Sequence, residues 1–299
     1  MMPLTALCAL RFPCAMAFLD HIHACNRHDL DRFRPLVVAG QHVGWVRGDV
    51  AWHLEHHADT FAVSEDMVGL HPRLAAPDDR SAAVDRVCQE LAEQWKTPSL
   101  RGERYRVARR FSDTPLMTVD RGVVSLFGVR AFGVHVNGFV RDGTKLKLWV
   151  AKRAVDKAVA PGKLDNLVAG GQPAHLSLMD NLVKEAAEEA DIPEALARTA
   201  RPVGAISYCL EDQWGLKPDV MYCYDLEVPK GFTPHNTDGE VEHFTLMDVE
   251  EVAHRVRTTQ DFKFNVNLVI LDFLIRHGVL CPDSESDYAD IVHGLKRGW

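Results

Sequence analysis

Apolar residues recur at two different spacings in the first part of the chain, and each spacing predicts its own kind of element. Between Ala15 and Phe33, and again between Ser81 and Trp95, they recur every three or four residues, as in amphipathic helices. Three short β-like runs lie between these helices, near glycines: Leu36 to Val38, Val43 to Val46 and Val50 to Leu54. The basic stretch from Arg101 to Arg110 is interpreted as a connection. The pattern predicts a small α/β N-terminal domain over residues 1–122.

From Val123 onwards the pattern becomes richer in strands, which predicts a second domain over residues 123–299. The predicted strands are Phe132 to Val140, Lys145 to Lys152, Pro202 to Leu210, Val220 to Val228 and Val241 to Leu246. The turn Arg141-Asp142-Gly143-Thr144 joins the first two as a hairpin. The predicted helices begin at Ser177, at Pro193 and at Asn265, and the last is apolar nearly all round and ends at Gly278.

Candidate chemistry is concentrated in the helix that begins at Ser177. Glu185, Glu188 and Glu189 stand at i, i+3 and i+4, so their carboxylates share one helix face, where like charges repel. A solvated helix face is the ordinary explanation of such a run. Gly170 and Gly171 lie just upstream, however, and glycines let a backbone approach a ligand closely. The strand, glycine loop and acidic helix together favour a divalent cation such as Mg²⁺ with phosphate oxygens.

This arrangement resembles the Nudix box, whose pattern is G-x5-E-x7-R-E-U-x-E-E-x-G-U, with U an aliphatic residue. Gly170 takes the first glycine, Glu185 the glutamate after the arginine, Glu188 and Glu189 the paired glutamates, and Ile192 the last aliphatic place. Four positions depart from the pattern: Leu176 for the first glutamate, Lys184 for the arginine, Ala186 for an aliphatic residue and Asp191 for the late glycine. The resemblance implies an α/β/α sandwich with a mixed sheet.

Further motifs are similar to one branch of that family, the Nudix domain fused to thiamine pyrophosphokinase in some fungi. These motifs occur in order around the box: His135-Val136-Asn137-Gly138, Leu148-Trp149, Pro161 to Asn166, and Asp238 to Glu242. A looser similarity extends into the N-terminal segment. The first box glutamate also looks to be missing in that branch, so Leu176 fits it.

The resemblance implies a diphosphate hydrolase with a bound divalent metal, Mg²⁺ or alternatively Mn²⁺. Glu185 and Glu189 are the implied metal ligands, with Glu188 beside them and the backbone carbonyl of Ala169 as a further ligand. Lys184 stands where the family arginine orients a glutamate, although lysine lacks the arginine's bidentate fork.

The general base and the phosphate clamps are less closely specified. Glu240 and Glu242, two residues apart on a predicted strand, face the same side and are candidate bases, unless they belong to a turn and a half-exposed strand. Arg153 and Lys157 follow a strand end and are candidate diphosphate clamps, although exposed basic residues often serve solubility alone.

Other candidate substrate-binding residues have structural alternatives. His135, Asn137, Asp165 and Asn166 match motifs of the branch and either contact a heterocycle or support loops. Trp214, beside a glycine in a polar loop, either stacks on an aromatic ligand or covers the core.

Composition indicates which classes of partner are unfavourable and in which compartment the protein is expected. The 299-residue chain carries a formal net charge of −8 and has no basic block, so nucleic acid and anionic membranes are poor partners. Seven cysteines without a C-x-x-C pair indicate free thiols in a reducing compartment, which we interpret as the cytoplasm. The apolar start from Leu4 to Leu19 is interpreted as a helix rather than a signal peptide. The sequence leaves a homodimer open.

Three functions remain at this point. The first is hydrolysis of thiamine diphosphate, or of an oxidised or damaged form of it, to the monophosphate and phosphate. The second is hydrolysis of a nucleoside diphosphate derivative, such as ADP-ribose or a dinucleotide. The third is a Nudix module that binds a metabolite without catalysis, a reading that the imperfect box motivates.

Overall fold

The computed structural model of the protein describes residues 17–95, 97–143 and 145–297. Cys8, Cys14 and the predicted apolar start up to residue 16 lie outside the described residues, as does Thr144 of the predicted hairpin turn. The elements up to residue 131 are, in chain order, α1 (Phe18–Cys25), β1 (Phe33–Val38), β2 (Gln41–Arg47), α2 (Gly48–Leu54), β3 (Phe61–Val63), β4 (Val68–Leu70), α3 (Pro77–Gln94), β5 (Arg104–Val107) and β6 (Met117–Asp120).

The second part of the chain contributes the larger sheet and its helices. In chain order its strands are β7 (Phe132–Asp142), β8 (Lys145–Arg153), β9 (Leu164–Asp165), β10 (Val168–Gly171), β11 (Arg201–Ser207), β12 (Leu210–Glu211), β13 (Leu216–Lys217), β14 (Val220–Glu227) and β15 (Val241–Asp248). Its helices are α4 (Leu178–Ala190), α5 (Glu194–Ala197), α6 (Val249–Thr258), α7 (Val266–Arg276) and α8 (Tyr288–Gly294).

Two principal sheets organise the described residues. The first has the order β2-β1-β4-β3. The second runs β11-β14-β7-β8-β15, with β10 added to β7 and β9 added to β8. Strands β14 and β7 are parallel, whereas β7 is antiparallel to both β8 and β10. The second sheet is therefore mixed, as the sequence predicted.

The larger sheet is covered on both faces because its buried side chains alternate between two apolar clusters. Tyr224 and Leu226 of β14 pack with α4 and α5. Met221 and Cys223 of the same strand pack with α1, α6, α7 and α8. This alternation is the ordinary consequence of the two-residue period of a strand. The predicted α/β/α layers are confirmed.

Most predicted elements of the second part are confirmed, because their apolar periods are long and regular. Strands β7, β8, β14 and β15 and helices α4 and α7 lie within a few residues of their predicted bounds. Gly278 has a φ of +70° and follows the last turn of α7, as a residue just past a helix end does.

Three predictions in the first part were wrong. The helix predicted from Ala15 to Phe33 ends at Cys25, and Phe33 is already the first residue of strand β1. Val50 to Leu54 was predicted as a strand but belongs to helix α2, where Val50, Ala51 and Leu54 are buried at helical spacing. The stretch interpreted as a connection contains strand β5, in which Tyr105 and Val107 are buried and the alternating Arg104 and Arg106 are only partly buried.

Helix α1 belongs by sequence to the first part of the chain but packs with the second. Phe18, Ile22 and Cys25 are buried in the cluster formed by α6, α7 and α8. Helix α1 is therefore part of the same core as α6, α7 and α8. The division at residues 122 and 123 stays a prediction.

Candidate metal and diphosphate site

The glycine strand β10 and helix α4 bring two of the predicted carboxylates together. Glu185 packs across Gly170, since a side-chain Cβ on that glycine would come within 2.5 Å of the carboxylate carbon of Glu185. Glu189, one turn further on, is 7% exposed and its Oε2 accepts the backbone N–H of Ala169 at 2.9 Å. The glycine thus makes room for one glutamate while the neighbouring amide holds the other.

The start of helix α4 is fixed as the sequence predicted. Ser177 is the N-cap, and its hydroxyl accepts the backbone N–H of Asp180 at 3.1 Å. Asp180 bonds to the Ser177 hydroxyl at 2.7 Å and lies 3.4 Å from Arg198, rather than pairing with Lys184 four residues on. Lys184 turns instead toward Glu188, at 2.5 Å, and Glu185, at 3.3 Å.

Burial raises the pKa of Glu189 well above its usual value. The amide of Ala169 opposes this rise, while Glu185, Asp165 and Glu240 add to it. Burial also raises the pKa of Glu185, and the charge of Lys184 opposes it. Two carboxylates in such surroundings repel each other, and a bound cation would relieve the repulsion.

The oxygen ligands at the β10–α4 corner, where strand β10 meets helix α4, suit a hard divalent cation. Glu185 and Glu189 offer carboxylate oxygens there, beside the Ala169 peptide. Among the described residues, no three Asp, Glu, His or Cys side chains are already grouped as a metal site. The Nζ of Lys184 bridges Glu185 and Glu188, so a metal held by Glu188 would require this ion pair to open. The full ligand set therefore stays a prediction.

The two candidate bases lie in different surroundings. Glu240 forms an ion pair with Lys157 and contributes to the negative field at Glu189. It precedes β15, and a bulge between Val241 and His243 interrupts the strand at Glu242, so the predicted two-residue alternation does not hold. Glu242 is exposed and lies 3.6 Å from its neighbour His243.

The candidate clamp Arg153 is directed into the protein. Its Nη1 donates to Asp165 Oδ2 at 2.7 Å, its Nε to the carbonyl of Ala160 at 3.2 Å, and its Nη2 to the carbonyl of Val159 at 3.0 Å. Only 11% of its side chain is exposed. Arg153 thus ties the 159–165 loop to strand β8. Lys157, the other candidate clamp, faces Glu240.

Four candidate substrate-binding residues form a buried polar network. His135 Nδ1 bonds to Asn166 Oδ1 at 2.9 Å, and the amide of Asn166 donates to Asn137 Oδ1 at 3.0 Å. Burial lowers the pKa of His135 to about 4. Burial would raise the pKa of Asp165, but Lys263, together with His135 and Arg153, lowers it overall. With exposures of 1 to 5%, these side chains are placed to hold the strands and loop that carry the site.

Trp214 lies in the turn of the β12–β13 hairpin. Its backbone N–H donates to Asp212 Oδ1 at 2.8 Å, and the following Gly215 lies against the Ser125 carbonyl. The ring is half-buried. The hairpin contacts both parts of the chain, since Glu211 pairs with Arg32 and Leu210 packs against the cluster that contains α6 and α7. The stacking role of Trp214 stays a prediction.

Two residues that the sequence did not point to lie against Gly171, the glycine after Gly170. A Cβ on Gly171 would overlap the hydroxyl of Tyr105 and would lie 3.5 Å from Arg121 Cζ. Tyr105 lies in β5, and Arg121 directly follows its partner strand β6. The alternation Arg104-Tyr105-Arg106-Val107 is the sequence signal for Tyr105, although its arginines favour a basic connection; Arg121 has no such signal.

Comparisons with known proteins decide the family. The chain is 42% identical over 292 residues to Nudix hydrolase 20, chloroplastic, of Arabidopsis thaliana, which covers 94% of this chain and 78% of that protein. It is 41% identical over 286 residues to Nudix hydrolase 24, chloroplastic, of the same plant, with the same shares covered. The chain belongs to the Nudix hydrolase family. It is accordingly a hydrolase.

Two further comparisons concern parts of this Nudix hydrolase. Residues 17–131 match a family described as a domain of unknown function, DUF4743. The crystal structure of DR0079 from Deinococcus radiodurans is similar over 58% of this chain and 97% of that chain, with 20% identity and a TM-score of 0.41. None of the helices in the described residues has the length and apolar character that a membrane crossing requires.

Proposed function

We propose that this Nudix hydrolase is a metal-dependent pyrophosphohydrolase that cleaves a small-molecule diphosphate at the β10–α4 corner. The observation that carries the proposal is the pairing of Glu185 and Glu189 around Ala169 and Gly170. Glu185 and Glu189 would hold Mg²⁺, or Mn²⁺ in its place, with Glu188 and the Ala169 carbonyl as further ligands. A divalent cation bound there neutralises charge on phosphate oxygens and activates water.

The surrounding residues divide into a base and its supports. Glu240 is the favoured general base, because its carboxylate acts on Glu189, whereas Glu242 lies beside His243 on an exposed bulge. Lys157 holds Glu240 through their ion pair and would release it to substrate. Arg153, His135, Asn137, Asp165 and Asn166 are proposed as positioning residues, since their polar atoms bond to one another and to loop carbonyls.

The proposed substrate is thiamine diphosphate or an oxidised or damaged form of it, with the monophosphate and phosphate as products. This choice rests on the similarity to the branch fused to thiamine pyrophosphokinase. Trp214 is retained as a candidate for stacking on the heterocycle. We further propose a reducing compartment such as the cytoplasm, although both named plant relatives are chloroplastic. The five described cysteines are free thiols.

The test is cleavage with Mg²⁺ or Mn²⁺ of a panel of thiamine diphosphate, its oxidised analogues, ADP-ribose and NADH. Products are separated by chromatography, because thiamine diphosphate releases inorganic phosphate whereas ADP-ribose and NADH each yield two phosphomonoesters. Glu185→Gln and Glu189→Gln should each lower kcat by about 100-fold or more, because each removes a charged oxygen that faces the metal. The glutamine at 189 can still accept the Ala169 N–H, so circular dichroism should show a retained fold.

Glu194→Gln is the matched control, since Glu194 is exposed on the neighbouring helix α5 and pairs with Arg198. It should behave as the wild type. Preferred cleavage of ADP-ribose or NADH would keep the chemistry and reject the thiamine substrate. Full activity in either box variant would reject the proposed metal site.

A further inference from the structure

Arg121 reaches the box from the N-terminal part of the chain. It follows strand β6 directly, in a short 3-10 turn of residues Arg121–Val123. Its Cζ lies 3.5 Å from the position that a Cβ on Gly171 would occupy, beside the Tyr105 hydroxyl. Its charge acts on the carboxylate of Glu185. A guanidinium is therefore present at the glycine end of the proposed metal site.

The backbone around Arg121 is held rigidly before any ligand binds. The buried carboxylate of Asp120 accepts backbone N–H groups from Arg101 at 2.8 Å and from Gly102 and Gly122 at 2.7 Å. The N–H of Arg121 itself donates to the carbonyl of Glu103 at 2.8 Å. Such preorganisation lowers the entropy that a side chain loses when it binds a ligand.

The side chain retains donors for a ligand. Within the part of the chain that the structure describes, its hydrogen bond is from Nη1 to Glu103 Oε2 at 2.9 Å, and 52% of the side chain is exposed. The guanidinium also lies over the Tyr105 ring, 5.7 Å from its centroid. Arg153 differs, because all three of its nitrogens donate to protein oxygens.

We infer that Arg121 binds a phosphate oxygen of the diphosphate substrate, so that the N-terminal part of the chain completes the site. The inference rests on the proposed function and extends it. A planar guanidinium offers two parallel donors to phosphate, which a lysine does not. The ligand class is a small-molecule diphosphate, recognised by its phosphates and independently of the organic group. Glu103 holds the guanidinium at the site until substrate arrives.

The experiment compares the full chain with Arg121→Met, Arg121→Lys and Arg86→Met. Arg86 is the matched control because it also lies in the N-terminal part, is also 52% exposed and also pairs with a carboxylate, that of Asp59. Steady-state KM and kcat are measured on whichever diphosphate of the panel is cleaved. Binding of imidodiphosphate, which is not hydrolysed, is measured by calorimetry with Mg²⁺ present.

Arg121→Met should raise KM and weaken imidodiphosphate binding by about 10- to 100-fold, as expected when a hydrogen-bonded charge pair is lost. Arg121→Lys should fall between it and the wild type, and Arg86→Met should match the wild type. Unchanged KM and affinity in Arg121→Met would overturn the inference. The inference would also be overturned if Arg121→Met lowered kcat only in proportion to a loss of thermal stability, and if Arg121→Lys lowered it equally.

The two proposals fail in different ways. A wild-type protein that cleaves no diphosphate contradicts the proposed function alone, because imidodiphosphate binding still tests Arg121. A wild type that cleaves the panel while Arg121→Met retains full affinity contradicts the inference alone.

Discussion

At the residue scale, the glycines of the box are explained by what lies against them. Gly170 has no side chain because the carboxylate of Glu185 occupies that space, and Gly171 has none because Tyr105 does. Gly170 and Gly171 both have negative or extended φ angles, so neither lies in the left-handed region. Their role is therefore close approach rather than an unusual backbone conformation.

Gly170→Ala tests this explanation. The added methyl would overlap Glu185 and displace its carboxylate, so we expect kcat to fall by about 100-fold, as a displacement near 1 Å does in an active site. The free energy of unfolding should fall by about 1–3 kcal/mol, the usual cost of overpacking. Phosphate release and urea denaturation measure the two effects.

Gly231→Ala is the control, since a Cβ on Gly231 meets nothing within 4 Å. It should leave both quantities unchanged. A fully active Gly170→Ala protein would show that the position of Glu185 does not matter for turnover.

At the scale of elements, the end of helix α4 accounts for a departure from the family pattern. Asp191, which replaces the late glycine of the box, has a φ of +53° and a ψ of +36°. The N–H of the following Ile192 donates to the carbonyl of Ala186 at 3.0 Å, so an amide beyond the left-handed residue reaches back to the last turn of the helix. Ile192 is buried. The late glycine and the last aliphatic position of the box therefore correspond to the C-terminal end of helix α4.

Asp191→Gly should raise the free energy of unfolding by about 0.5–1 kcal/mol, because glycine adopts this conformation without steric cost. It also removes a negative charge from the negative end of the helix dipole. Asp191→Ala is the comparison and should lower stability, since alanine tolerates this region poorly. Chemical denaturation of the three proteins measures the order, and a glycine variant less stable than the wild type would contradict this account.

At the scale of the whole molecule, helix α1 joins the beginning of the chain to its C-terminal helices. Its His21 is buried, and Nε2 bonds to the carbonyl of Val256 in α6 at 2.6 Å. Burial lowers the pKa of His21, with the Val256 carbonyl and Asp20 opposing. The folded protein therefore keeps this imidazole neutral at a pH where the unfolded chain protonates it.

The sign of the pH dependence follows. Above about pH 6.5 neither state is protonated and the contribution of His21 to stability is complete. As the pH falls below that value, the unfolded chain binds the extra proton, so stability declines by up to about 1.4 kcal/mol per pH unit for this group. His21→Gln should flatten the decline between pH 6.5 and 5, measured by urea denaturation.

His23→Gln is the control, because His23 is exposed on the same helix. Buried His135 contributes in the same direction in both variants and cancels from the comparison. Equal slopes for the wild type and His21→Gln would exclude His21 as a source of the pH dependence.

Local patterns determined much of this protein. The three glutamates, the Ser177 cap and the long strands β7, β8 and β14 could be predicted, because capping and apolar periodicity depend on neighbours in the chain. The short elements α2 and β5 could not be predicted, because a few apolar residues are compatible with both the helical and the strand period. Tertiary contacts determine which of the two forms.

Tertiary structure alone decided the remainder. It placed α1 against α6 to α8, turned Arg153 inward to Asp165, and brought Tyr105 and Arg121 to Gly171. These contacts join residues 12 or more positions apart, and no local periodicity predicts them. The carboxylates of the box can thus be found from the sequence, whereas their partners depend on how the chain folds back on itself.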